Sequence, residues 1–324
     1  MGSVALRRAT LLIVAALVGT GLVACRGTPR RATTVACEVW VSRDFGAEML
    51  KQASVQVADG DSVMEVTRRV CRVETAYGGG FVKSLDGLES TGGRSSQGMD
   101  WFYYVDGILA GRGAVETKVS QGSVIWWDYH NWSFGGGQFA AVVGAWPKPV
   151  ASGCRVLYAR SGGSQAGRLH SALEGLRKGS AGPLEAYDGK SLADRAQPVV
   201  LVGLAREMLE YPWLAGIFRD AWRAGLPGTV RDSGIVGFDG RGGEKATWKD
   251  GSGLIAAMGS YMGDPNPLWL VVGWDEQGLE RAVTLLVDGI NDEVPALRHA
   301  FGVAVTPTGV VKLPLVNAGG GGTR

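Results

Sequence analysis

The sequence predicts an α+β protein in which one helix on a small mixed sheet is followed by an α/β domain with a mostly parallel sheet. Three observations carry this reading. Residues 37–134 hold short alternating or aromatic runs separated by Asp-Gly turns, with one helical pattern among them. From residue 154 onward, continuous apolar runs alternate with patterns of 3.6-residue period, as in strands covered on both faces. Glycine supplies 51 of 324 residues, about twice its usual share, which fits a turn-rich chain.

The elements follow in order. Cys37 to Arg43 alternates Val39 and Val41 with Glu38 and Trp40, the pattern of a half-buried strand. Ala53 to Val57 is a second strand. After the Asp59-Gly60 turn, Ser62 and Glu65 make a capping box, and Val63, Val66 and Val70 take helical spacing. Phe81 to Leu85, Trp101 to Val105 and Ser123 to Tyr129 are three more strands, rich in aromatic and β-branched residues. Together they make a β-grasp-like plan over residues 37–134.

Residues 135–152, with Gly135-Gly136-Gly137 and Trp146-Pro147-Lys148-Pro149, read as an ordered linker. The α/β domain is expected over 153–316. Arg155 to Ala159 precedes a helix over 164–178 that carries Leu169, Leu173 and Leu176 on one face. Val199 to Val202 precedes a helix with Leu214, Ile217, Phe218, Ala221 and Trp222 at core-facing spacing. Ile235 to Phe238 is a short strand and Gly253 to Met262 is expected to be helical. Leu268 to Val272 leads to a helix capped by Asp275 and carrying Leu279, Val283 and Leu286. A last helix ends at Arg298, and Val303 to Val305 is the last strand. Leu201-Val202-Gly203-Leu204 and Val271-Val272-Gly273-Trp274 echo each other faintly. Residues 317–324 are expected to be a disordered tail.

The N-terminus sets the expected address. Arg7 and Arg8 precede an apolar run from Leu11 to Val23, too short for a comfortable membrane span and laid out like a secretory signal. The run ends in Leu22-Val23-Ala24-Cys25, which resembles the lipobox of bacterial lipoproteins. That resemblance implies removal of residues 1–24, lipidation of Cys25, and a tether over 25–36. The expected location is the extracytoplasmic face of a cell membrane, reached by general rather than twin-arginine export.

Losing the leader takes two arginines and no acid, so 31 basic and 31 acidic residues remain. That neutrality speaks against a nucleic-acid partner. In an oxidising compartment two of Cys37, Cys71 and Cys154 are expected to pair, with all three pairings open.

Three blocks in the first region carry a second resemblance. Gly79-Gly80-Phe81-Val82-Lys83-Ser84-Leu85-Asp86-Gly87-Leu88, Trp101-Phe102-Tyr103-Tyr104-Val105-Asp106-Gly107 and Gly122-Ser123-Val124-Ile125-Trp126-Trp127-Asp128-Tyr129 occur in order. Over 38–134, roughly a third of the chain, this resembles the domain that closes transcobalamin and intrinsic factor. In those cobalamin carriers the domain covers one face of the corrin while a helical barrel holds the other. Nothing in this chain looks like the barrel, so the resemblance implies a fold and names a corrinoid as candidate ligand. The whole layout also resembles lipoproteins of high-GC bacteria.

Nine aromatic residues lie between 101 and 134. Alternation sends them to both faces of the sheet, one set to the core and the other either to a flat-ligand or partner site or against the second region. Trp101, Tyr103, Trp127 and His130 are the candidate ligand-binding residues. His130, in the loop expected after the last strand, is either a metal ligand (including to the cobalt of a corrinoid) or a hydrogen-bonding surface residue. With three histidines, no Walker loop, no Gly-x-Ser-x-Gly and no His-Glu-x-x-His, no enzyme activity, resident metal or catalytic residue is expected. The expected function is capture of a flat, partly apolar ligand, with delivery to a membrane importer. The alternative is an envelope structural or protein-interaction lipoprotein with no small ligand.

Overall fold

A computed structural model describes residues 34–92, 98–132, 138–176 and 181–316. The leader, Cys25 and most of the tether lie outside these residues, as do Gly135 to Gly137 and the tail from 317. Strands dominate, with few helices, and the chain is a mixed α+β protein of several sheets. The described residues form one compact unit.

The N-terminal part contains β1 (Thr34–Arg43), β2 (Glu48–Ala58), α1 (Val63–Val70), β3 (Val73–Ala76), β4 (Phe81–Leu85), β5 (Leu88–Glu89), β6 (Gly98–Val105), β7 (Ile108–Leu109) and β8 (Val124–Trp132). Five strands form one sheet in the order β2-β1-β8-β6-β7, with β1 and β8 parallel; β3, β4 and β5 form a small second sheet. The expected tether already enters β1 at Thr34. Helix α1 begins as read: the Ser62 hydroxyl accepts from the Glu65 N–H, and Glu65 accepts in return from the Ser62 N–H. Its Val63, Met64 and Val66 close one face of the five-stranded sheet.

The C-terminal part contains β9 (Cys154–Tyr158), α2 (Gly163–Leu176), β10 (Ala181–Ala186), β11 (Val199–Leu204), α3 (Ala205–Met208), α4 (Pro212–Arg219), β12 (Gly228–Arg231), β13 (Gly234–Phe238), β14 (Glu244–Trp248), β15 (Gly253–Met258), β16 (Leu268–Gly273), α5 (Glu276–Asn291), β17 (Gly302–Thr306) and β18 (Gly309–Leu313). Its main sheet runs β10-β9-β11-β16-β15-β17-β18. The first four strands are parallel, and β15, β17 and β18 join antiparallel. The sheet is therefore less parallel than expected. The two echoed segments prove to be neighbours, with Gly203 opposite Val272 in the register of β11 and β16.

Alternation along β11 and β16 divides the core. Val200, Val202, Trp269 and Val271 face α2 and α5, whereas Val199, Leu201, Leu270 and Val272 face α3, α4 and β13. Asp275 caps α5 by accepting from the Gly278 N–H at 2.8 Å.

Three expectations are corrected. Gly253 to Met258 is the strand β15, not a helix: its apolar run has no helical period and is buried between β16 and β17. No helix ends at Arg298; α5 stops at Asn291, and the segment carrying Pro295 is a run of turns. The expected linker is interior. Phe139 and Val142 join the core under Trp126, and Val143, Trp146 and Val150 join the core under α5. The Trp146 indole N–H donates to the Leu286 carbonyl at 2.9 Å, which fixes this segment to α5.

The cysteines differ from expectation as well. Cys37, Cys71 and Cys154 are free, buried thiols. Cys37 and Cys71 belong to the core beneath α1 and Cys154 to the core beneath α2, where each packs as a small apolar side chain. Burial pushes the Cys71 thiol up to about 11 and the Cys154 thiol up to about 12.

Candidate functional site

Antiparallel pairing of β6 with β8 sets Trp101 opposite Tyr129 and Tyr103 opposite Trp127. All four rings point toward α1, with centroids 5.1 Å apart in the first pair and 4.7 Å in the second. Each polar tip is satisfied. The Trp101 indole donates to the Leu88 carbonyl at 2.9 Å and the Trp127 indole to the Thr67 hydroxyl at 2.9 Å. The Tyr129 hydroxyl donates to the Glu89 carbonyl at 2.7 Å, and that of Tyr103 to the Arg112 carbonyl at 2.6 Å. Burial raises the Tyr103 hydroxyl above its ordinary value.

His130 lies on the other face. Its ring is stacked between Phe45 and Phe102, 4.5 Å from each centroid, and its Nδ1 is 2.8 Å from Asp128 Oδ1. Asp128 is fully buried. It also accepts from the Ser42 hydroxyl and from the backbone N–H groups of Phe45 and Gly46. The structure therefore gathers Trp101, Tyr103 and Trp127 and separates His130 from them. His130 belongs to β8 itself rather than to a following loop, and both ring faces are covered.

The gathered three are buried, and they line the inner end of one groove. Between β4 and the hairpin 105–113, a groove of about 170 Å³ reaches Trp101, Tyr103 and Trp127, with Phe81, Ala110 and Met262 in its walls. A second hollow of about 390 Å³ continues around the hairpin and shares Leu109, Ala110, Arg112 and Met262 with the first. The outer wall comes from the loop after β15, more than a hundred residues away in sequence. That loop is seated by backbone contact: the Gly263 N–H donates to the Leu109 carbonyl at 2.7 Å. At Gly111, a Cβ would stand 2.6 Å from the Met262 carbonyl oxygen.

The rim carries Phe81 at 37%, Met262 at 50% and Tyr261 at 62% exposure, large apolar groups left open to water. Tyr77, its ring 6.0 Å from that of Phe81, is almost fully exposed. Arg112 is exposed at the groove edge, with no ion-pair partner among the described residues. Among those residues no group of three or more His, Cys, Asp or Glu side chains is placed to hold a metal ion. The arrangement offers an aromatic floor, a thioether and aromatic rim, and one cation.

Sequence reasoning missed Phe81, Arg112 and Met262. Phe81 and Arg112 lie inside the region of resemblance, but their exposure is not readable from alternation. Nothing in the sequence ties Met262 to the hairpin.

A domain of unknown function, DUF4430, matches residues 60–131, which spans α1 through β8. No curated protein matches the chain. Among solved structures, the chain is similar to a "putative metal binding protein" from Ruminococcus gnavus ATCC 29149, at 18% identity over 30% of this chain and 98% of that one, with a TM-score of 0.24. It is also similar to haptocorrin in complex with Cbi, at 13% identity over 31% of this chain and 26% of that one, with a TM-score of 0.26. Both likenesses are confined to about a third of this chain.

Proposed function

We propose that this chain is a non-enzymatic, lipid-anchored binding protein of the extracytoplasmic membrane face, and that its groove takes a flat, partly apolar ligand. The observation that carries the reading is the groove itself: the exposed Phe81 and Met262 stand over an inner end lined by the buried rings of Trp101, Tyr103 and Trp127. Aromatic edges and a thioether accept a conjugated surface with little loss of conformational freedom, and Arg112 supplies a polar handle. A corrinoid is the named candidate, on the strength of the three sequence blocks. The hollow is too small to enclose one, so the ligand would lie across the rim with one edge inserted. Cys25 is the proposed anchor, and handover to a membrane importer is the proposed purpose. His130 has no place in this site.

The test is a titration of the chain from Arg26 onward, which keeps the whole compact unit, with cobalamin and cobinamide by tryptophan fluorescence and calorimetry. Binding at micromolar affinity or tighter is expected. Phe81→Ala or Met262→Ala should weaken it about tenfold, the equivalent of roughly 1.4 kcal/mol. Failure of both corrinoids to bind below high micromolar would overturn the corrinoid assignment. A partner chain docked on Tyr77 and Phe81 would then be the reading to pursue. Cys25→Ala protein that still partitions wholly with membranes would refute the anchor.

A further inference from the structure

The loop that walls the groove has a second side. Behind Tyr261 and Met262, between the loop and α4, is a separate hollow of about 390 Å³. Its apolar walls are Trp213 and Ile217, one turn apart on α4 and both half-buried, with Met258 at the end of β15. Its charged lining residues are Arg195 and Arg223, and no carboxylate lines it.

The two arginines differ in what they have left to give. Arg195 is buried, and its five N–H donors are all engaged: by the carbonyls of Asn266, Leu192 and Met258, by the Ser260 hydroxyl, and by Asp264 Oδ2 at 2.7 Å. Asp264 in turn accepts from the backbone N–H groups of Ser260 and Asn266, at 2.8 and 2.9 Å. This ion pair is a clamp that holds the 258–266 loop as a fixed wall. Arg223 is exposed at the same hollow and has no carboxylate partner among the described residues. Its donors are free to face a ligand.

We propose that this hollow is a second binding site, for a planar aromatic group bearing an anion. The ring would lie against Trp213 and Tyr261, and the carboxylate, sulfonate or phosphate would meet the Arg223 guanidinium. The charge argument selects the anion: a guanidinium beside an apolar wall strengthens a charge-assisted hydrogen bond by partial exclusion of water, and no neighbouring acid competes for it. The aromatic wall selects the ring. This site stands independently of the corrinoid reading, because its lining shares only Met262 with the groove that reaches Trp101, Tyr103 and Trp127.

The test uses two probes of similar shape, 8-anilinonaphthalene-1-sulfonate and the neutral N-phenyl-1-naphthylamine, followed by fluorescence on the chain from Arg26 onward. The sulfonate is expected to bind more tightly than the neutral probe. Arg223→Ala should weaken the sulfonate about tenfold, the scale of one lost charge-assisted hydrogen bond, and leave the neutral probe unchanged. Arg223→Lys should restore part of the difference, and Trp213→Ala should weaken both probes. In a Phe81→Ala background, which alters the other groove, the Arg223→Ala effect on the sulfonate should persist. Arg223 is exposed, so its replacement should leave the melting temperature unchanged and the binding readout clean. Equal affinity for the two probes, an unaltered sulfonate affinity in Arg223→Ala, or loss of the Arg223→Ala effect in the Phe81→Ala background would each overturn the proposal.

Discussion

The two regions build interiors of different chemistry around similar sheets. In β6 and β8 the side chains that face α1 include four aromatic rings whose polar tips are tied to neighbouring elements: Trp101 to Leu88 and Tyr129 to Glu89 of β5, Trp127 to Thr67 of α1, and Tyr103 to Arg112 of the groove hairpin. In β11 and β16 the inward side chains are aliphatic apart from Trp269, and the nearby 258–266 loop is held by the Arg195–Asp264 ion pair. Aromatic strands thus spend their hydrogen-bonding ends on positioning the elements around them, the groove hairpin at Arg112 included. Aliphatic strands have no such ends, and the loop fixation falls to a buried salt bridge. The lesson concerns reading aromatic clusters: their density here reflects scaffolding, and binding capacity lies at the few edges that remain open.

The strongest way to break this comparison is at the polar centre of the aromatic region. Asp128→Ala removes the acceptor for Ser42, Phe45, Gly46 and His130 at once, in a fully buried position. A loss of about 3–5 kcal/mol is expected in denaturant unfolding, because buried donors are left unpaired. The aliphatic counterpart, Leu169→Ala beneath α2, should cost about 2–5 kcal/mol through its cavity. Since residues 139–150 feed both cores, the two variants should shift one shared transition. Separate transitions would mean that the regions fold independently.

How much of this could be read in advance depended on parity and distance. The capping box at Ser62, the Asp275 cap and the strands β4, β8, β11 and β16 followed from local pattern, because capping and burial act within a few residues. The gathering of the candidate site did not follow correctly. Trp127 and His130 are three apart, so a strand must send them to opposite faces; alternation alone separates them once β8 is extended past Tyr129. The burial of 139–146 was not legible, since Gly and Pro suggest a linker while the packing of Phe139 and Trp146 comes from elements far along the chain. The β15 error has the same cause: six apolar residues carry no period, and only their neighbours decide the conformation.

A milder probe of the contact between the regions is pH. His299 lies between Trp40, at 4.4 Å, and Trp126, at 6.1 Å. Burial, reinforced by Lys312 and Arg298 and opposed by Asp128, pushes its imidazole down from 6.5 to about 4. The unfolded chain therefore takes up the proton first. The contribution is fully present above pH 6.5 and is lost as the pH falls toward 4. Unfolding midpoints measured between pH 7 and 4 should drop more steeply in the wild type than in His299→Gln. Equal slopes would remove His299 from the account.

The smallest expected effect comes from a cation laid across the same contact. The Arg298 guanidinium lies 5.0 Å over the Trp40 ring, and its Nη2 is 3.0 Å from Glu38 Oε2, which also accepts from the Trp40 indole at 2.9 Å. Glu38 and Glu293, its two carboxylate partners, are 40% and 73% exposed, so water and salt screen most of the ionic part. Arg298→Ala should cost only about 0.5–1 kcal/mol, the range of an exposed cation–π contact with a screened ion pair. Salt separates the two contributions. If the ring contact dominates, the difference between Arg298→Ala and wild type persists at high ionic strength, because stacking on Trp40 does not depend on Glu38. If the ion pair dominates, the difference fades with added salt, and Arg298→Lys, which keeps the charge and loses the planar fork, behaves like the wild type. Persistence would place aromatic scaffolding at the boundary between the regions as well as inside the N-terminal one.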